Sequence, residues 1–447
     1  MEAASPRKKH ALILAGASAL ALAAGGLWLW SERTPIAASY IDAMLREKGV
    51  AARYRLAQIG VRTHRIENVV IGDPRSPDLS ADWAEVELGF GLGGVHVRAV
   101  DAGGLRIKGR VVDGKLSLGA VDRLLPEGQG DAPFALPAIS LRARSARADI
   151  ASPAGMVSLI VDGAGRLDNG FKGRVTLSAP RLVAKDCAAE KLGAALQVTT
   201  ADGAPRLSGP LRASKIDCAG VRLSEVVVAS DLQGRSDLAE WRGTLKPIKG
   251  TVLAGGARIG RLGGQLAFTA GRAGVAGEAD LRAGAITMAQ GKVDALGLRG
   301  KYRITSRGDA DFDGKLSASD ARLSPASAAA LSGLGKSLAA FPPGPVLDVW
   351  TEALARAAAR ADLEADVRAS FGGDEAELRI MRVAGESRSG ARLLLRPNGA
   401  SGIGWSMSEG IAANGSLELS GGGLPHLLAT ARQTVPGGPL EGSASIA

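Results

Sequence analysis

Three glycines in the segment GFGLGG have the spacing of a dinucleotide-binding turn. They are Gly89, Gly91 and Gly94. Such a turn binds a pyrophosphate at the N-terminus of the helix that follows it. The next segment here is VHVRAV, which alternates as a strand does. Because no helix follows, we interpret the glycines as a turn between two strands and expect no cofactor.

None of the histidines lies at metal-ligand spacing from another histidine, a cysteine or an acid. They are His10, His64, His96 and His426. The sequence also lacks the G-x-S-x-G, P-loop and H-E-x-x-H motifs. Acid pairs such as Glu85 and Glu87 fall on one face of a strand, which is the usual solvated pattern. We therefore predict no metal site, no catalytic residue and no enzyme. A Ser/His/Asp set that the fold brought together would revive a hydrolase as the third hypothesis.

The two cysteines lie in similar contexts, AKDCA and SKIDCA. In an oxidising compartment, an even number of cysteines favours a disulfide bond. Cys187 and Cys218 are therefore a disulfide candidate, provided that neighbouring strands bring their Cα atoms close together. The alternative is two buried thiols at equivalent positions of a repeat.

The composition excludes some classes of partner. Lys and Arg number 55 against 45 Asp and Glu, but this excess of +10 is spread along the chain. Aromatic residues make up 4%, too few for the base stacking typical of nucleic-acid-binding proteins. We therefore expect no nucleic acid as a partner. The same scarcity makes the apolar surface thin and aliphatic, which favours an extended sheet over a thick core.

The first 30 residues have the pattern of a membrane anchor. A basic tail, residues 1–10, precedes an uncharged run at residues 11–30 that ends in Trp-Leu-Trp. Twenty apolar residues in a helix extend about 30 Å, the thickness of the hydrocarbon layer. Basic flanks favour the cytoplasm and tryptophans favour an interface, so the chain after Ser31 should lie outside the cytoplasm. A cleaved signal peptide is the alternative, although SERTP is a poor cleavage site. The predicted interface residues are Arg7, Lys8, Lys9, Trp28 and Trp30.

Two segments have helical periodicity. Residues 31–49 place apolar side chains on one face up to Gly49, which predicts a short amphipathic helix just outside the membrane. Residues 324–363 are rich in alanine, and Trp350 and Leu354 share a helical face. The Pro-Pro-Gly-Pro run at 342–345 breaks this segment, so we predict a helical hairpin inserted among strands.

Period-two alternation dominates the rest of the chain after residue 49. The segment GLRIKGRVVDGKLSLGAV places Leu105, Ile107 and Val111 opposite three basic residues, and its Asp-Gly pair predicts a hairpin turn. AEVELGF, FKGRVTLS, LGLRGKYRIT and ADFDGKLSA alternate similarly. Further turns are predicted at Asp162-Gly163, Asn169-Gly170 and Asp202-Gly203. We therefore expect a mostly β protein, an elongated and twisted antiparallel sheet of roughly 25–30 strands.

Three arrangements would cover the apolar face of such a sheet: a second sheet, closure into a barrel, or an open groove occupied by another molecule. Small aliphatic residues leave a smooth channel, so we favour an open apolar groove that holds acyl chains. Ordinary core packing is the alternative interpretation. The residues predicted to line the groove are Val86, Leu88, Leu105, Ile107, Val111, Val175, Leu177, Leu298, Tyr302, Ile304, Phe312 and Leu316.

Two stretches of the chain resemble a known family. AARYRLAQIGVRTHRIENVVIGDPRSPDLSADWAEVEL and GLRIKGRVVDGKLSLGAVDRLLP are similar to the N-terminal part of YdbH-like proteins of Gram-negative bacteria, which belong with TamB to the AsmA-like group. The resemblance implies an inner-membrane anchor, a periplasmic bridge with a β-groove, and phospholipid transport to the outer membrane. Members are often longer, so the chain is expected to be truncated.

The predicted organisation follows from these patterns. It has a cytoplasmic tail at 1–10, a transmembrane anchor at 11–30, a juxtamembrane helix at 31–49, a periplasmic β-groove at 50–323, a helical hairpin at 324–363 and further β-groove at 364–447. The predicted function is carriage of phospholipids toward the outer membrane, without catalysis, and an outer-membrane or periplasmic protein partner stays open. The alternative is a periplasmic scaffold that assists outer-membrane protein assembly by pairing strands at an open edge.

Overall fold

The structure is a computed structural model in which most of the chain after residue 41 is described. The described residues are 42–43, 45–60, 63–91, 94–112, 115–124, 135–184, 187–218, 220–254, 256–338, 344–357, 360–373, 375–399, 402–433 and 438–446. Contacts divide the chain into unit 1, residues 1–133 and 137–175, and unit 2, residues 134–136 and 176–447. Strands account for most of the described residues, as the alternation predicted.

Unit 1 contains eight strands and one short 3-10 helix, Gly119–Leu124, among its described residues. The strands are β1 (Ala52–Ile59), β2 (Thr63–Asp73), β3 (Ser76–Gly91), β4 (Gly94–Gly103), β5 (Arg106–Val112), β6 (Lys115–Ser117), β7 (Ser140–Ser152) and β8 (Gly155–Arg166). The predicted hairpin between β5 and β6 is present, with Val111 opposite Leu116. Its Asp113-Gly114 turn lies outside the described residues.

Strand β7 departs from the expected antiparallel meander. It pairs in parallel with β4 and with β5, whereas the other strand pairs recorded among the described residues of unit 1 are antiparallel. Gly104 separates β4 from β5 with a φ of 64°, a conformation that glycine adopts without strain. The two strands thus form one interrupted edge for β7. Alternation predicted each strand but carries no information on which neighbour it chooses.

One predicted turn is wrong, because Asp162 and Gly163 lie inside β8. The Asp162 carboxylate accepts a hydrogen bond from the backbone N–H of Ser145 at 2.7 Å. A Cβ atom at Gly163 would come within 2.6 Å of the Phe171 ring, so the glycine makes room for this ring. Contacts with Ser145 and Phe171 therefore account for an Asp-Gly pair inside a strand. The other two predicted turns outside β5–β6 are present, at Asn169-Gly170 and Asp202-Gly203.

Unit 2 is built mainly from long strands that each pair antiparallel with the next. Strand β9 (Lys172–Ala184) contains the boundary between the units. The next strands are β10 (Cys187–Ala201), β11 (Ala204–Cys218), β12 (Val221–Gly234), β13 (Trp241–Ala254), β14 (Ala257–Gly271), β15 (Gly274–Met288), β16 (Gly291–Thr305), β17 (Ala310–Leu323), β18 (Ala361–Gly372) and β19 (Glu375–Ser387). Ladder pairing is continuous from β10 to β19.

The sheet of unit 2 branches at β19. The remaining strands are β20 (Ala391–Pro397), β21 (Ile403–Ser406), β22 (Gly410–Ala413), β23 (Gly415–Gly421), β24 (Leu424–Gln433) and β25 (Leu440–Ile446). One half of β19 pairs with β20, which leads through β23 and β24 to β25. The other half pairs with β21, which pairs with β22 in a short side hairpin.

Bulges interrupt several strands of unit 2. Glu225 in β12, Arg261 in β14 and Asp320 in β17 have φ values of 51°, 49° and 51°. Each lies where the register with the following strand shifts. An extra residue of this kind bends its strand and increases the local twist. Repeated bulges therefore bend the sheet of unit 2, and nothing in the period-two pattern predicted them.

Two helices form the predicted hairpin, α1 (Pro325–Leu338) and α2 (Gly344–Ala357). Ser324 caps α1, because its hydroxyl accepts a hydrogen bond from the backbone N–H of Ser327 at 3.1 Å. β18 begins at Ala361, so the predicted end of the helical segment at residue 363 is too late. The alanines before this strand continue the composition of α2. The sequence therefore did not indicate where the helical period ends and the period-two alternation begins.

Only the last part of the predicted N-terminal region lies within the described residues. Residues 42–43 and 45–47 are helical, inside the predicted juxtamembrane helix. The basic tail, the predicted anchor at 11–30 and the interface tryptophans lie outside the described residues. Within the part of the chain that is described, no helix is both long and apolar enough to cross a bilayer.

Candidate functional site

One face of the unit 2 sheet carries a row of apolar side chains that runs across eight strands. Directly opposite residues of paired strands point to the same face, so the register defines the row. We call it the central row. Its members are Leu281, Leu298, Leu316, Ala365, Val383, Leu395, Leu417 and Ala429. Each of them is half-buried.

A second row on the same face, the aromatic row, combines rings with glycine. Its members are Gly243, Phe268, Gly277, Tyr302, Phe312, Ala369, Leu378 and Trp405. The Phe312 ring lies over the neighbouring Gly300 and Gly314, where an added Cβ atom would approach its Cζ to 2.7 and 2.8 Å. The Tyr302 hydroxyl donates to the carbonyl of Ala267 at 3.1 Å, and burial raises the pKa of this phenol. Glycine thus lets the rings lie close to the sheet.

Exposure separates this face from an ordinary core. Of the six side chains of unit 2 that were predicted to line a groove, five are half-buried and none is fully buried, and the six in unit 1 are also half-buried. Ile304 is 42% exposed, at the end of β16, and so is less covered than predicted. Leu419 and Leu427, at 0% exposure, are the largest fully buried side chains among the described residues. Most of the apolar face therefore has no second protein layer packed on it in the part described.

Leu419 and Leu427 are buried because α2 packs on the apolar face there. Trp350 and Ala353 of α2 form one buried cluster with these leucines and with Ala391 of β20. The indole N–H of Trp350 has no hydrogen-bond acceptor among the described residues. The sequence predicted the helix and its apolar side, but its location on β20, β23 and β24 depends on long-range packing.

The opposite face of the sheet is charged. Next to Leu316 in the chain, Lys315 lies 2.6 Å from Glu364 and 3.5 Å from Asp366. These hydrogen bonds and charges raise the pKa of Lys315 and lower that of Glu364. Arg299, one residue after Leu298, lies 3.0 Å from Asp280 in the same way. Such exposed pairs add little stability, and the register that keeps the apolar side chains together is set by the partly covered apolar face and by the turns.

An acidic residue that sequence reasoning missed organises the base of the helical hairpin. Asp320 accepts two hydrogen bonds from Arg360, at 2.8 and 2.7 Å, and another from Arg322. These arginines hold the pKa of the Asp320 carboxyl well below its usual range. Its backbone N–H donates to Asp362 at 2.7 Å. The Asp320 carboxylate therefore has a structural role, because it binds the two arginines at the base of the hairpin. Among the described residues, no group of His, Cys, Asp and Glu could hold a metal ion.

Other residues singled out in the sequence lie elsewhere. In unit 1, Val86 lies opposite His64 and Val100, and Ile107 lies opposite Leu79. In unit 2, Cys187 and Cys218 are register partners on β10 and β11, joined by a disulfide bond with an S–S distance of 2.11 Å. The Gly89, Gly91 and Gly94 segment connects β3 and β4, two paired strands, as the turn interpretation expects.

Comparison with known proteins gives a match to one protein family. The model of the YdbH-like family, described as intermembrane phospholipid transport protein YdbH, matches residues 19–447. No curated protein and no solved structure matches the chain. The family match covers both units and nearly all the chain, and it confirms the resemblance noted from the two N-terminal stretches.

Proposed function

This chain belongs to the YdbH-like family of intermembrane phospholipid transport proteins, and from that premise we propose that its apolar sheet face is the path along which the acyl chains move. The face would act as one wall of an open groove. The polar headgroups would stay in water at its edge. Transport of this kind breaks no covalent bond, so the proposal requires neither a catalytic residue nor a cofactor.

The observation that carries this proposal is the partial exposure of the central row. Leu298 and Leu316 face the same side from adjacent strands, and both are only half-buried. A phospholipid that leaves a bilayer exposes its tails to water, at about 0.8 kcal/mol for each methylene group. A row of apolar side chains that contacts the tails offsets much of this cost. Because the row crosses many strands, the tails could move from one strand to the next without meeting a charge.

Curvature supports a groove over a flat sheet. The bulges at Glu225, Arg261 and Asp320 bend their strands, and a bent sheet has one concave face. Glycine beside Phe312 keeps the ring close to the backbone, so aromatic side chains do not project far into the proposed path. Both features would leave room for hydrocarbon tails over the sheet.

The proposed location is the inner membrane with the sheet in the periplasm. The basic residues of the first ten favour a cytoplasmic tail, and the apolar run at 11–30 is long enough to anchor the chain. The disulfide between Cys187 and Cys218 supports an oxidising compartment for unit 2. Transport toward the outer membrane, and a protein partner there, belong to the same proposal.

Co-purified lipid tests the proposed function. We expect the full chain, purified in mild detergent, to retain several phospholipid molecules. The reason is that contact with the partly exposed apolar rows removes the acyl tails from water, which is favourable. Native mass spectrometry with lipid extraction measures the number and class of bound lipids. The control for non-specific carry-over of lipid is a β-sandwich protein with a polar surface, purified from the same membranes. A monodisperse, lipid-free chain would contradict the proposal and would favour the scaffold hypothesis.

A further inference from the structure

A cavity of about 350 Å³ lies between α2 and the apolar face. Leu354 of α2 forms its roof, and the strands β15 to β20 supply its walls. The large apolar wall residues are Met288, Val293, Leu323, Leu363, Val383 and Leu393. Its size lies within the usual range of ligand pockets, about 300–1,000 Å³. The cavity belongs to unit 2 alone.

The roof of this cavity is fixed in place. Trp350, one helical turn before Leu354, and Ala353, the preceding residue, are buried in the cluster that attaches α2 to the sheet, and Leu354 packs against this cluster. A side chain next to such a cluster cannot move down into the cavity without disturbing close packing. The space under Leu354 is therefore built into the fold, and the sheet cannot collapse to fill it.

The chemistry of the walls selects hydrocarbon. The apolar side chains that line the cavity are aliphatic apart from Met288, and the polar residues that also line it are Gln290, Lys292, Arg322, Glu386 and Ser387. Lys292 and Arg322 lie 3.4 and 3.0 Å from Asp294, and Glu386 lies 3.5 Å from Arg392, so these charges have partners, although the Nε of Arg322 has no hydrogen-bond acceptor among the described residues. An apolar cavity offers water too few hydrogen-bond partners and binds apolar groups instead.

The cavity is continuous with the proposed lipid path. Val383 is a member of the central row, directly opposite Ala365 and Leu395. Leu363 and Leu393 lie on the same face as Val383. Both are register partners of Gly385, which follows Val383 by two residues in β19. An acyl chain on the central row thus reaches the cavity by contacting aliphatic side chains alone.

We propose that this cavity binds the end of one acyl chain of a phospholipid carried on the apolar face. This inference rests on the proposed function, because the central row must bring the tail to α2. The hairpin would hold a lipid at a defined position, with its tail under Leu354 and its headgroup away from the cavity. The site is thus a tail-binding subsite within the path.

A photoreactive lipid tests this subsite in the full chain. The probe is phosphatidylglycerol with a diazirine at the end of one acyl chain, and mass spectrometry locates its adducts. We expect adducts on peptides that contain Leu354, Leu363 or Val383. A Val383→Trp variant should reduce these adducts about tenfold, the change expected when about two methylene groups are excluded. Arg382→Trp, on the adjacent exposed position, is the matched control and should leave them unchanged.

The adduct pattern separates the subsite from the general function. Adducts at Leu298 and Leu316 without adducts at the cavity would overturn the subsite and leave the proposed function standing. Absence of adducts from the entire apolar face would remove both. If Val383→Trp lowers the melting temperature strongly, Ala321→Leu narrows the same cavity with less added volume and replaces it.

Discussion

Leu316→Asp is expected to prevent phospholipid binding to the central row while the sheet stays folded. Leu316 lies between Leu298 and Ala365 in the middle of the row, so a tail that follows the row must contact it. A carboxylate placed against a hydrocarbon tail loses hydration without gaining a partner, which is strongly unfavourable. Bound phospholipid per chain should fall by about tenfold or more, the equivalent of about 1.4 kcal/mol. Lipid extraction followed by quantitative mass spectrometry measures this change.

Partial exposure explains why this variant should still fold. Leu316 is half-buried, so an aspartate at this position remains in contact with water when no lipid is bound. The matched control is Ser317→Asp, which adds the same charge on the exposed opposite face one residue later. It should retain the lipid of the unmodified chain. Unfolding of Leu316→Asp alone would show that the row is a packed core, because a buried unpaired carboxylate destabilises a core severely.

Leu419→Ala is expected to have the largest effect on stability and to release α2 from the sheet. Leu419 is 0% exposed and belongs to the cluster that contains Trp350 and Leu427. Removing a leucine side chain from a fully packed site costs about 3–5 kcal/mol, since a cavity remains. Hydrogen–deuterium exchange should therefore accelerate in the peptides of α2, while strands β10–β13 keep their protection.

The same truncation at a half-buried position provides the comparison. Leu316→Ala removes the same atoms from a side chain that water already reaches, so it should cost no more than about 1.5 kcal/mol. Equal losses for the two variants would mean that the central row is covered as completely as the cluster under α2. That outcome would contradict the assignment of the row as a lipid path.

Alternation predicted the faces of the sheet well. In β17, Phe312 and Leu316 are half-buried and Asp313 and Lys315 are exposed, as the period of two requires. This signal is local, because it depends on consecutive side chains pointing to opposite sides. The residues predicted to line a groove therefore fall on partly covered positions, with Ile304 as the exception near the end of its strand.

Features that depend on partners between distant segments were not predictable in the same way. The parallel pairing of β7, the branch at β19 and the bulge at Asp320 all concern register between strands. The Asp162-Gly163 pair has the composition of a turn, yet contacts with Ser145 and Phe171 keep it inside a strand. The position of α2 on β23 and β24 depends on packing against strands that follow it in the chain by more than 50 residues. Tertiary packing decides such features, and a single sequence does not encode it as a period.

Position-by-position photocrosslinking along β17 tests the central claim most directly. A diazirine-bearing residue is placed in turn at each position from Phe312 to Ala318 of the full chain except Gly314, where an added Cβ atom would meet the backbone of β16, in membranes of a Gram-negative host. We predict phospholipid adducts at Phe312, Leu316 and Ala318, on the apolar face, and none at Asp313, Lys315 and Ser317, on the charged face. Adducts that ignore this period of two, or their absence at every position, would contradict the claim that the apolar face carries the lipid.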